Sequence, residues 1–272
     1  MALITKDHPA ISIARQTELL ALSRSSIYYQ PIIDEQDIRV MNAIDEIYTD
    51  RPFYGSRRMR YELKDEHGIS IGRHHIRRLM RLMGLEAVYP KRRVNTSIVD
   101  NTHRKYPYLL SGLTPTYPNQ IWGTDITYIR LERGWAYLMA ILDWFSRYVL
   151  AWELSPTLET SFCVSALQRA LAIGTPIFHN SDQGAQFTDS SYTTLLEEQN
   201  IRISMDGRGR CMDNIFTERL WRTVKYENIY LKSYHTIDEA REGLIKYFQF
   251  YNMKRRHQSL HDRTPEHVFF NH

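Results

Sequence analysis

Three acidic residues, Asp125, Asp182 and Glu218, have the chemistry of a site that binds divalent metal ions. Asp125 lies in the middle of a predicted strand, where a buried carboxylate is costly unless it is paired or metal-bound. Asp182 follows a short apolar strand, and ligands in such sheets tend to lie beyond the carboxyl ends of strands. Carboxylate oxygens suit two Mg²⁺ (or Mn²⁺) ions, which activate a nucleophilic oxygen and stabilise the leaving oxygen during displacement at phosphorus.

Each acid also has an ordinary structural explanation. A single strand residue such as Asp125 is often an edge residue or a hydrogen-bond acceptor, and Asp182 lies among turn-forming residues. Glu218 lies about 200° around a predicted helix from Phe216, which begins an apolar stripe. It therefore faces away from the centre of that stripe, and a salt bridge with Arg222 explains it equally well. The combination of the three acids favours the metal site.

The elements that must position these acids follow from hydrophobic periodicity between residues 118 and 230. The pattern predicts strands at 121–130, 135–142, 147–154, 176–179 and 201–205, and helices at 158–172, at 189–199 and from about 213 onward. Three consecutive strands form an antiparallel meander, and the later strand–helix–strand unit implies a mixed sheet flanked by helices. This order is typical of an α/β, ribonuclease H-like catalytic core.

The charge of the chain is distributed unevenly. Residues 51–105 hold 14 Lys and Arg against 5 Asp and Glu, an excess of +9, whereas the whole chain carries +4. The remaining residues therefore sum to −5. Such asymmetry indicates a module that faces nucleic acid, joined to a second part with another task.

Residues 36–89 are predicted to form a small all-α, helix-turn-helix DNA-binding domain. Its helices are expected at 36–48, 56–66 and 70–84, and a short helical segment over residues 1–35 precedes it, with two helices between 12 and 29. The helix at 70–84 has an apolar face and a basic face, and the basic face carries Arg73, His74, Arg77, Arg78 and Arg81. A solvated cationic surface also explains such a face, but helix, turn and basic helix together favour DNA contact.

The rest of the chain divides into a linker, a core and an extension. Residues 90–117 show no helical or strand period and contain several prolines, which predicts an extended basic linker. The core covers 118–230 and continues in a helical extension over 231–272. Basic residues outside the helix-turn-helix that we expect to contact DNA are Lys91, Arg92, Arg93, Arg208, Arg210, Arg222 and Lys225.

The composition and the N-terminal residues indicate the cellular location of the protein. No apolar run approaches the length that spans a bilayer, and the first residues lack the apolar stretch of a secretory signal. Cys163 and Cys211 make neither a disulfide framework nor a metal-site spacing, so we expect two free thiols. The expectation is a cytoplasmic protein without a membrane partner.

Several motifs resemble one family of bacterial mobile elements. Asp182 and Glu218 are separated by 35 residues, as in the Asp–Asp–35–Glu pattern of transposases and retroviral integrases. The flanking segments are similar to the second-reading-frame product of IS-three family insertion sequences: WGTDITYI, ILDWFSRYVLAW, NSDQGAQFT, MDGRGRCMDNIFTERLWRTVKYE and YNMKRRHQSLHDRTPEHVF. The segment YGSRRMRYEL and the basic helix after it resemble that family's helix-turn-helix, so the likeness extends over roughly residues 40–270.

The resemblance implies a transposase, a polynucleotidyl transferase that cleaves DNA at element ends and transfers the cut strand to target DNA. It implies that Asp125, Asp182 and Glu218 are catalytic residues that bind two Mg²⁺ or Mn²⁺ ions, and that Lys225 contacts the transposon end. The implied partners are double-stranded DNA, further copies of the chain because two ends are joined, and an upstream-frame protein.

Two other functions fit parts of the sequence. A separately made second-frame product could act as a non-catalytic DNA-binding regulator of transposition, although the intact acidic triad favours an enzyme. A ribonuclease H-type nuclease acting on RNA–DNA hybrids is the third hypothesis. The helix-turn-helix and the basic linker favour duplex DNA ends over such hybrids.

Overall fold

The computed structural model describes residues 4, 8–21, 23, 35–88, 106–132, 134–206 and 214–271. The chain divides into two compact units, Met1–Glu86 and Ala87–His272. Most of the predicted linker, including Lys91, Arg92 and Arg93, lies outside the described residues, as do Arg208 and Arg210. Within the described part of the chain, no helix is both long and apolar enough to cross a membrane.

The first unit is helical, as predicted. Its helices are α1 (Ile13–Leu19), α2 (Glu35–Asp50), α3 (Ser56–His67) and α4 (Arg73–Leu82). The last three pack on one another, and their apolar faces bury residues such as Ile44, Leu63 and Ile76. Gly68 ends α3 in the left-handed conformation, as expected from a glycine after a helix. The second helix predicted between 12 and 29 falls outside the described residues.

Helix α4 begins three residues later than predicted. Gly72, in an extended conformation, is its N-cap, so the helix starts at Arg73 and not at Ser70. The shift shortens the helix by one turn but leaves every predicted basic residue within it, because Arg73 is its first residue.

The second unit is built on a five-stranded mixed sheet. Its strands are β1 (Ile121–Arg130), β2 (Trp135–Asp143), β3 (Val149–Ser155), β4 (Phe178–Ser181) and β5 (Arg202–Met205), in the spatial order β3-β2-β1-β4-β5. The first three strands form the predicted antiparallel meander. β1, β4 and β5 are parallel neighbours. The α/β, ribonuclease H-like architecture is therefore confirmed.

Two strands begin two residues later than predicted. β3 begins at Val149 because Arg147 has a positive φ of 64°, which belongs to a turn and not to a strand. β4 covers Phe178–Ser181 in place of 176–179. Pro176 has no backbone N–H to give to a ladder, so the strand starts beyond it. The later end of β4 makes Asp182 the residue directly after the strand.

Helices cover both faces of the sheet. On one face, α5 (Thr160–Leu171) and α7 (Ser190–Glu198) pack over strand residues such as Trp122 and Ile141. On the other, α8 (Ile215–Val224) and α10 (Ile237–Met253) pack over Ile129 and Leu138. The remaining elements are the short helix α6 (Ala185–Thr188), a π-helical turn (Lys225–Ile229), α9 (Tyr230–Lys232), a 3₁₀ turn (Gln258–Leu260) and α11 (Pro265–Phe270).

The C-terminal extension is tied to the core by a buried ion pair. Arg255 Nη2 lies 2.6 Å from Glu227 Oε1, and Arg255 Nε donates to Glu227 Oε2 at 2.7 Å. Tyr247 also donates its hydroxyl to the same carboxylate at 3.0 Å. A buried pair with this many hydrogen bonds holds the chain after α10 against the π-helical turn that follows α8.

Candidate active site

Asp125 lies where β1 loses its parallel neighbour. The pairing of β1 with β4 covers Ile121 to Gly123, whereas the pairing with β2 continues to Arg130. Both carboxylate oxygens of Asp125 accept hydrogen bonds. The backbone N–H of Ile126 donates to Oδ1 at 2.8 Å, and the indole N–H of Trp221 donates to Oδ2 at 2.9 Å. These contacts hold the carboxylate in one orientation.

Asp182 lies at the carboxyl end of β4, beside β1. Its Oδ1 accepts the backbone N–H of Gly184 at 2.9 Å. A Cβ atom at position 184 would lie 2.9 Å from the same oxygen, so glycine allows this close turn without displacing the Asp182 carboxylate. The parallel pairing of β1 with β4 places Asp182 at the same edge of the sheet as Asp125.

The two carboxylates interact electrostatically. The pKa of Asp125 is raised to about 7. Desolvation is the largest cause, and the charges of Asp182 and Asp206 act in the same direction, against the two hydrogen bonds that lower the pKa. Desolvation also raises the pKa of Asp182, although the residue as a whole is exposed and the Gly184 N–H acts in the opposite direction. The pair therefore carries a cost of ionisation that a bound cation would remove.

Helix α8 is docked closely against β1. The side chain of Asn214, the N-cap of α8, donates to the backbone carbonyl of Thr124 at 3.1 Å and accepts from Thr217 Oγ1 at 2.5 Å. A Cβ atom at Gly123 would lie 3.1 Å from Thr217 Oγ1. Glycine in β1 thus permits the approach of the helix next to Asp125.

Glu218 lies on this helix, next to the residue that contacts Asp125. It is exposed, and Trp221, three residues later, lies on a neighbouring face of the helix. The predicted apolar stripe of Phe216, Leu220 and Val224 packs towards the sheet, but Phe216 is only partly buried, whereas Thr217 and Trp221 are buried. The buried face is therefore rotated towards Glu218, because Thr217 fits over Gly123.

The structure brings Asp125 and Asp182 together, and Glu218 lies on α8, the helix whose Trp221 contacts Asp125. Among the residues that the structure describes, no group of three or more His, Cys, Asp or Glu side chains is close enough to hold a metal ion. The shared site of all three acids stays a prediction. The donor set nevertheless fits a divalent cation, because Asp125 and Asp182 are both desolvated and lie at the same edge of the sheet, where a cation would offset the cost of ionising them.

Two predicted DNA contacts follow Glu218. Arg222 is exposed on the next turn of α8, and Lys225 begins the π-helical turn. Burial lowers the pKa of Lys225, and the nearby Asp125 carboxylate acts in the opposite direction. Lys225 therefore lies near Asp125.

The predicted basic face of α4 is exposed, with one residue already engaged. Arg73, His74, Arg77 and Arg81 are exposed, and the last three line a shallow pocket. Arg78 is also exposed and lines the same pocket, but it donates to Asp37 Oδ2 at 2.5 Å, and His75 lies 2.6 Å from Oδ1 of the same carboxylate. The hydrogen bond from Arg78 is the largest cause of the lowered pKa of Asp37. Arg78 thus links α4 to α2.

One acid near the site was missed by the sequence analysis. Asp206 follows β5 directly, as Asp182 follows β4, and the preceding residues Ser181 and Met205 are paired. Its charge raises the pKa of Asp125. The signal was the adjacency of the two parallel strands, which hydrophobic periodicity does not reveal.

Family models match most of the chain. The model described as "Integrase core domain" matches residues 115–211, and a second model with the same description matches residues 199–265. The model described as "HTH-like domain" matches residues 35–93. These matches agree with the two units of the structure and with the predicted order of functions along the chain.

Similar proteins come from insertion sequences. The chain is 31% identical over 220 residues to "Insertion element IS600 uncharacterized 31 kDa protein" of Shigella sonnei, covering 79% of this chain and 80% of that protein. It is 29% identical to "Transposase for insertion sequence element IS629" of the same organism, over 85% of this chain and 79% of that protein. A chain of the simian T-cell lymphotropic virus intasome matches with a TM-score of 0.51 and 19% identity, covering 63% of this chain and 60% of that chain, which supports the fold.

Proposed function

This chain belongs to the IS-three family of insertion-sequence transposases, and on that premise we propose that it cleaves DNA at the ends of an insertion sequence and joins them to target DNA. In the first step, a water oxygen bonds to phosphorus as the bond to the 3′ oxygen breaks. In the second, the freed 3′ hydroxyl attacks a phosphorus of the target strand, and the 3′ oxygen of the target strand leaves. No covalent bond between protein and DNA is needed.

The observation that carries this proposal is the desolvated carboxylate pair of Asp125 and Asp182. Two divalent ions, Mg²⁺ or Mn²⁺, would be held by these residues and Glu218, and when bound they supply Lewis-acid stabilisation of the attacking and leaving oxygens. Trp221 keeps the Asp125 carboxylate oriented through its indole N–H. Lys225, beside Asp125, binds a phosphate of the transposon end.

The first unit selects the DNA. Arg73, His74, Arg77 and Arg81 present one exposed basic face of α4, as a helix that contacts duplex DNA does. Transposition joins two ends, so we expect at least two copies of the chain in the active complex. An upstream-frame protein is a further expected partner.

The test is strand transfer with purified chain, a duplex that carries the element's end and Mg²⁺ or Mn²⁺. Asp125→Ala, Asp182→Ala and Glu218→Ala are each expected to abolish cleavage and joining while end binding in a gel-shift assay stays largely intact, because the basic face lies on the other unit. Asp189→Ala, which removes the N-cap of α7, is the matched control and is expected to keep activity.

Joining at the unsubstituted rate by any of the three variants contradicts the site. The assay is run with and without the upstream-frame protein. Activity only in the presence of that protein supports a catalytic chain that needs a partner. Inactivity in both arms, with end binding retained, supports the non-catalytic regulator. Cleavage of RNA–DNA hybrids without end preference supports the hybrid nuclease.

A further inference from the structure

Asp206 makes three hydrogen bonds to the segment that carries Asp182. Its carboxylate Oδ1 accepts from the side-chain amide of Asn180 at 2.7 Å. Its backbone N–H donates to the carbonyl of Ser181 at 2.9 Å, and its own carbonyl accepts from the side-chain amide of Gln183 at 3.0 Å. Every residue it contacts in this way lies within two positions of Asp182.

These contacts bracket Asp182 in the chain. Asn180 is fully buried in β4, two residues before the acid, and Gln183 directly follows it. The direction of Asp182 is set by the backbone between these two residues. Because Asp206 binds residues on both sides of Asp182 in the chain, it restrains that direction more than a contact on one side would.

We infer that Asp206 is a positioning residue for Asp182, acting as a hydrogen-bond acceptor that locks the end of β4 against the end of β5. The inference rests on the proposed function, since it assigns Asp182 to the metal site. Partners of ligating carboxylates orient them, and their loss typically lowers metal affinity or activity by about 10- to 100-fold.

The acceptor and the charge of Asp206 have separable effects. Asp206→Asn keeps an Oδ1 acceptor in the same place while removing the negative charge. Asp206→Ala removes both and leaves the buried Asn180 amide without this partner. The backbone contacts to Ser181 and Gln183 survive in both variants. If positioning is the role, the asparagine variant rescues what the alanine variant loses.

The experiment measures Mn²⁺ binding to the full chain directly, by electron paramagnetic resonance of the free ion, together with strand transfer as a function of Mn²⁺ concentration. Asp206→Ala is expected to weaken Mn²⁺ binding about tenfold and to raise the half-saturating Mn²⁺ concentration equally, with a smaller fall in the maximal rate. Asp206→Asn is expected to stay within about threefold of the unsubstituted chain. Asp189→Ala is the control for loss of an Asp side-chain hydrogen bond elsewhere in the second unit.

Gln183→Ala provides a second route if Asp206→Ala does not fold. It removes the contact with the Asp206 carbonyl and leaves the Asp206 side chain in place, and we expect it to weaken Mn²⁺ binding about threefold. Unchanged binding in both Asp206→Ala and Gln183→Ala overturns the inference. Equal losses in Asp206→Ala and Asp206→Asn also overturn it, because charge and not the acceptor would then matter.

The outcomes separate this inference from the proposed function. If the unsubstituted chain binds Mn²⁺ but joins no DNA ends, the proposed function fails while the ranking of the variants in Mn²⁺ binding still decides the role of Asp206. If the unsubstituted chain joins ends and Asp206→Ala binds Mn²⁺ normally, the inference fails alone. Absence of Mn²⁺ binding by the unsubstituted chain overturns both.

Discussion

At the scale of single residues, the site depends on one carboxylate that is difficult to ionise. Asp125 is desolvated, lies near two other acids and is held by an indole and a backbone N–H. A carboxylate in this position stabilises the fold when neutral and destabilises it when charged without a cation. Such a residue gives up stability for a binding function, which is expected of functional sites.

The titration of Asp125 predicts how stability depends on pH. The unfolded chain ionises this group near 3.8, whereas the folded protein keeps the proton up to about 7. Its contribution to stability is therefore complete below pH 3.8 and is lost as pH rises towards 7. Asp125→Asn removes this loss, so without divalent ions it should be more stable than the unsubstituted chain at pH 7.5 by up to about 4 kcal/mol, and nearly equal at pH 3.5.

Urea unfolding in the presence of a chelator, at both pH values, measures this difference. Parallel pH profiles of the two proteins would show that Asp125 does not titrate as the structure indicates. Addition of Mg²⁺ at pH 7.5 should stabilise the unsubstituted chain and leave Asp125→Asn almost unchanged, because only the first has the charged ligand.

At the scale of elements, the site depends on how closely α8 approaches β1. Gly123 and Thr217 make the contact, and Phe216 packs between the ring of Trp144 at 5.3 Å and the guanidinium of Arg147 at 3.6 Å. The turn that carries Trp144 and Arg147 is held by Asp143, whose carboxylate accepts from Ser146 and Asn119. The connection between β2 and β3 thus helps to position the helix that carries Glu218.

Gly123→Ala tests the helix contact. The added Cβ would lie 2.1 Å from Trp144 Nε1 and 3.1 Å from Thr217 Oγ1, so the Trp144 ring must move and α8 must give way slightly. We expect a loss of about 1–3 kcal/mol in unfolding free energy and a larger proportional loss of strand transfer. Gly72→Ala, where an added Cβ meets nothing within 4 Å, is the matched control and should change neither. Full activity of Gly123→Ala would show that the helix position is not critical.

The basic face of α4 predicts a difference between neighbouring arginines. Arg77→Ala and Arg81→Ala should each weaken end binding, because each removes one phosphate contact. The slope of log affinity against log salt concentration should become shallower by about one in each variant. Arg78→Ala should lower the melting temperature of the first unit, because Arg78 pairs with Asp37. It should weaken DNA binding less than Arg77→Ala or Arg81→Ala does. Fluorescence anisotropy across a salt series measures the slopes. Identical slopes in all three variants would contradict the distinction.

At the scale of the whole molecule, the proposed function assigns DNA selection and chemistry to separate units. The first unit carries the basic face and the second carries the acids. The buried Glu227–Arg255 pair and the helices on both faces of the sheet lie within the second unit. Each unit has its own buried apolar residues, which is the condition for folding independently.

A fragment of residues 106–272 tests this division. It should unfold cooperatively and bind Mn²⁺ like the full chain, but lose the preference for element ends over unrelated duplex. Calorimetry and competition gel shifts measure the two properties. A fragment that keeps full end preference would place sequence selection in the second unit. The full chain with Arg77→Ala and Arg81→Ala is the control for loss of the basic face alone.

The sequence by itself predicted most elements of this protein and proposed its chemistry. The bounds of β1 were predicted without error and those of α2 and α3 within two residues. The acids were named as metal ligands by residue type, and that assignment stays a prediction. These features depend on periodicity and spacing within short stretches of chain. The family resemblance supplied the pairing of Asp182 with Glu218 that periodicity alone left ambiguous.

Only the tertiary structure decided which side chains meet. Trp221 and Asp125 are 96 residues apart, and Arg78 and Asp37 are 41 apart. The place of Asp206 beside the Asp182 segment requires that β5 pair with β4, which no local pattern encodes. Strand order and helix docking are set by the summed burial of both sheet faces. The acids could therefore be named from the sequence, whereas the groups that orient Asp125 and Asp182 could not.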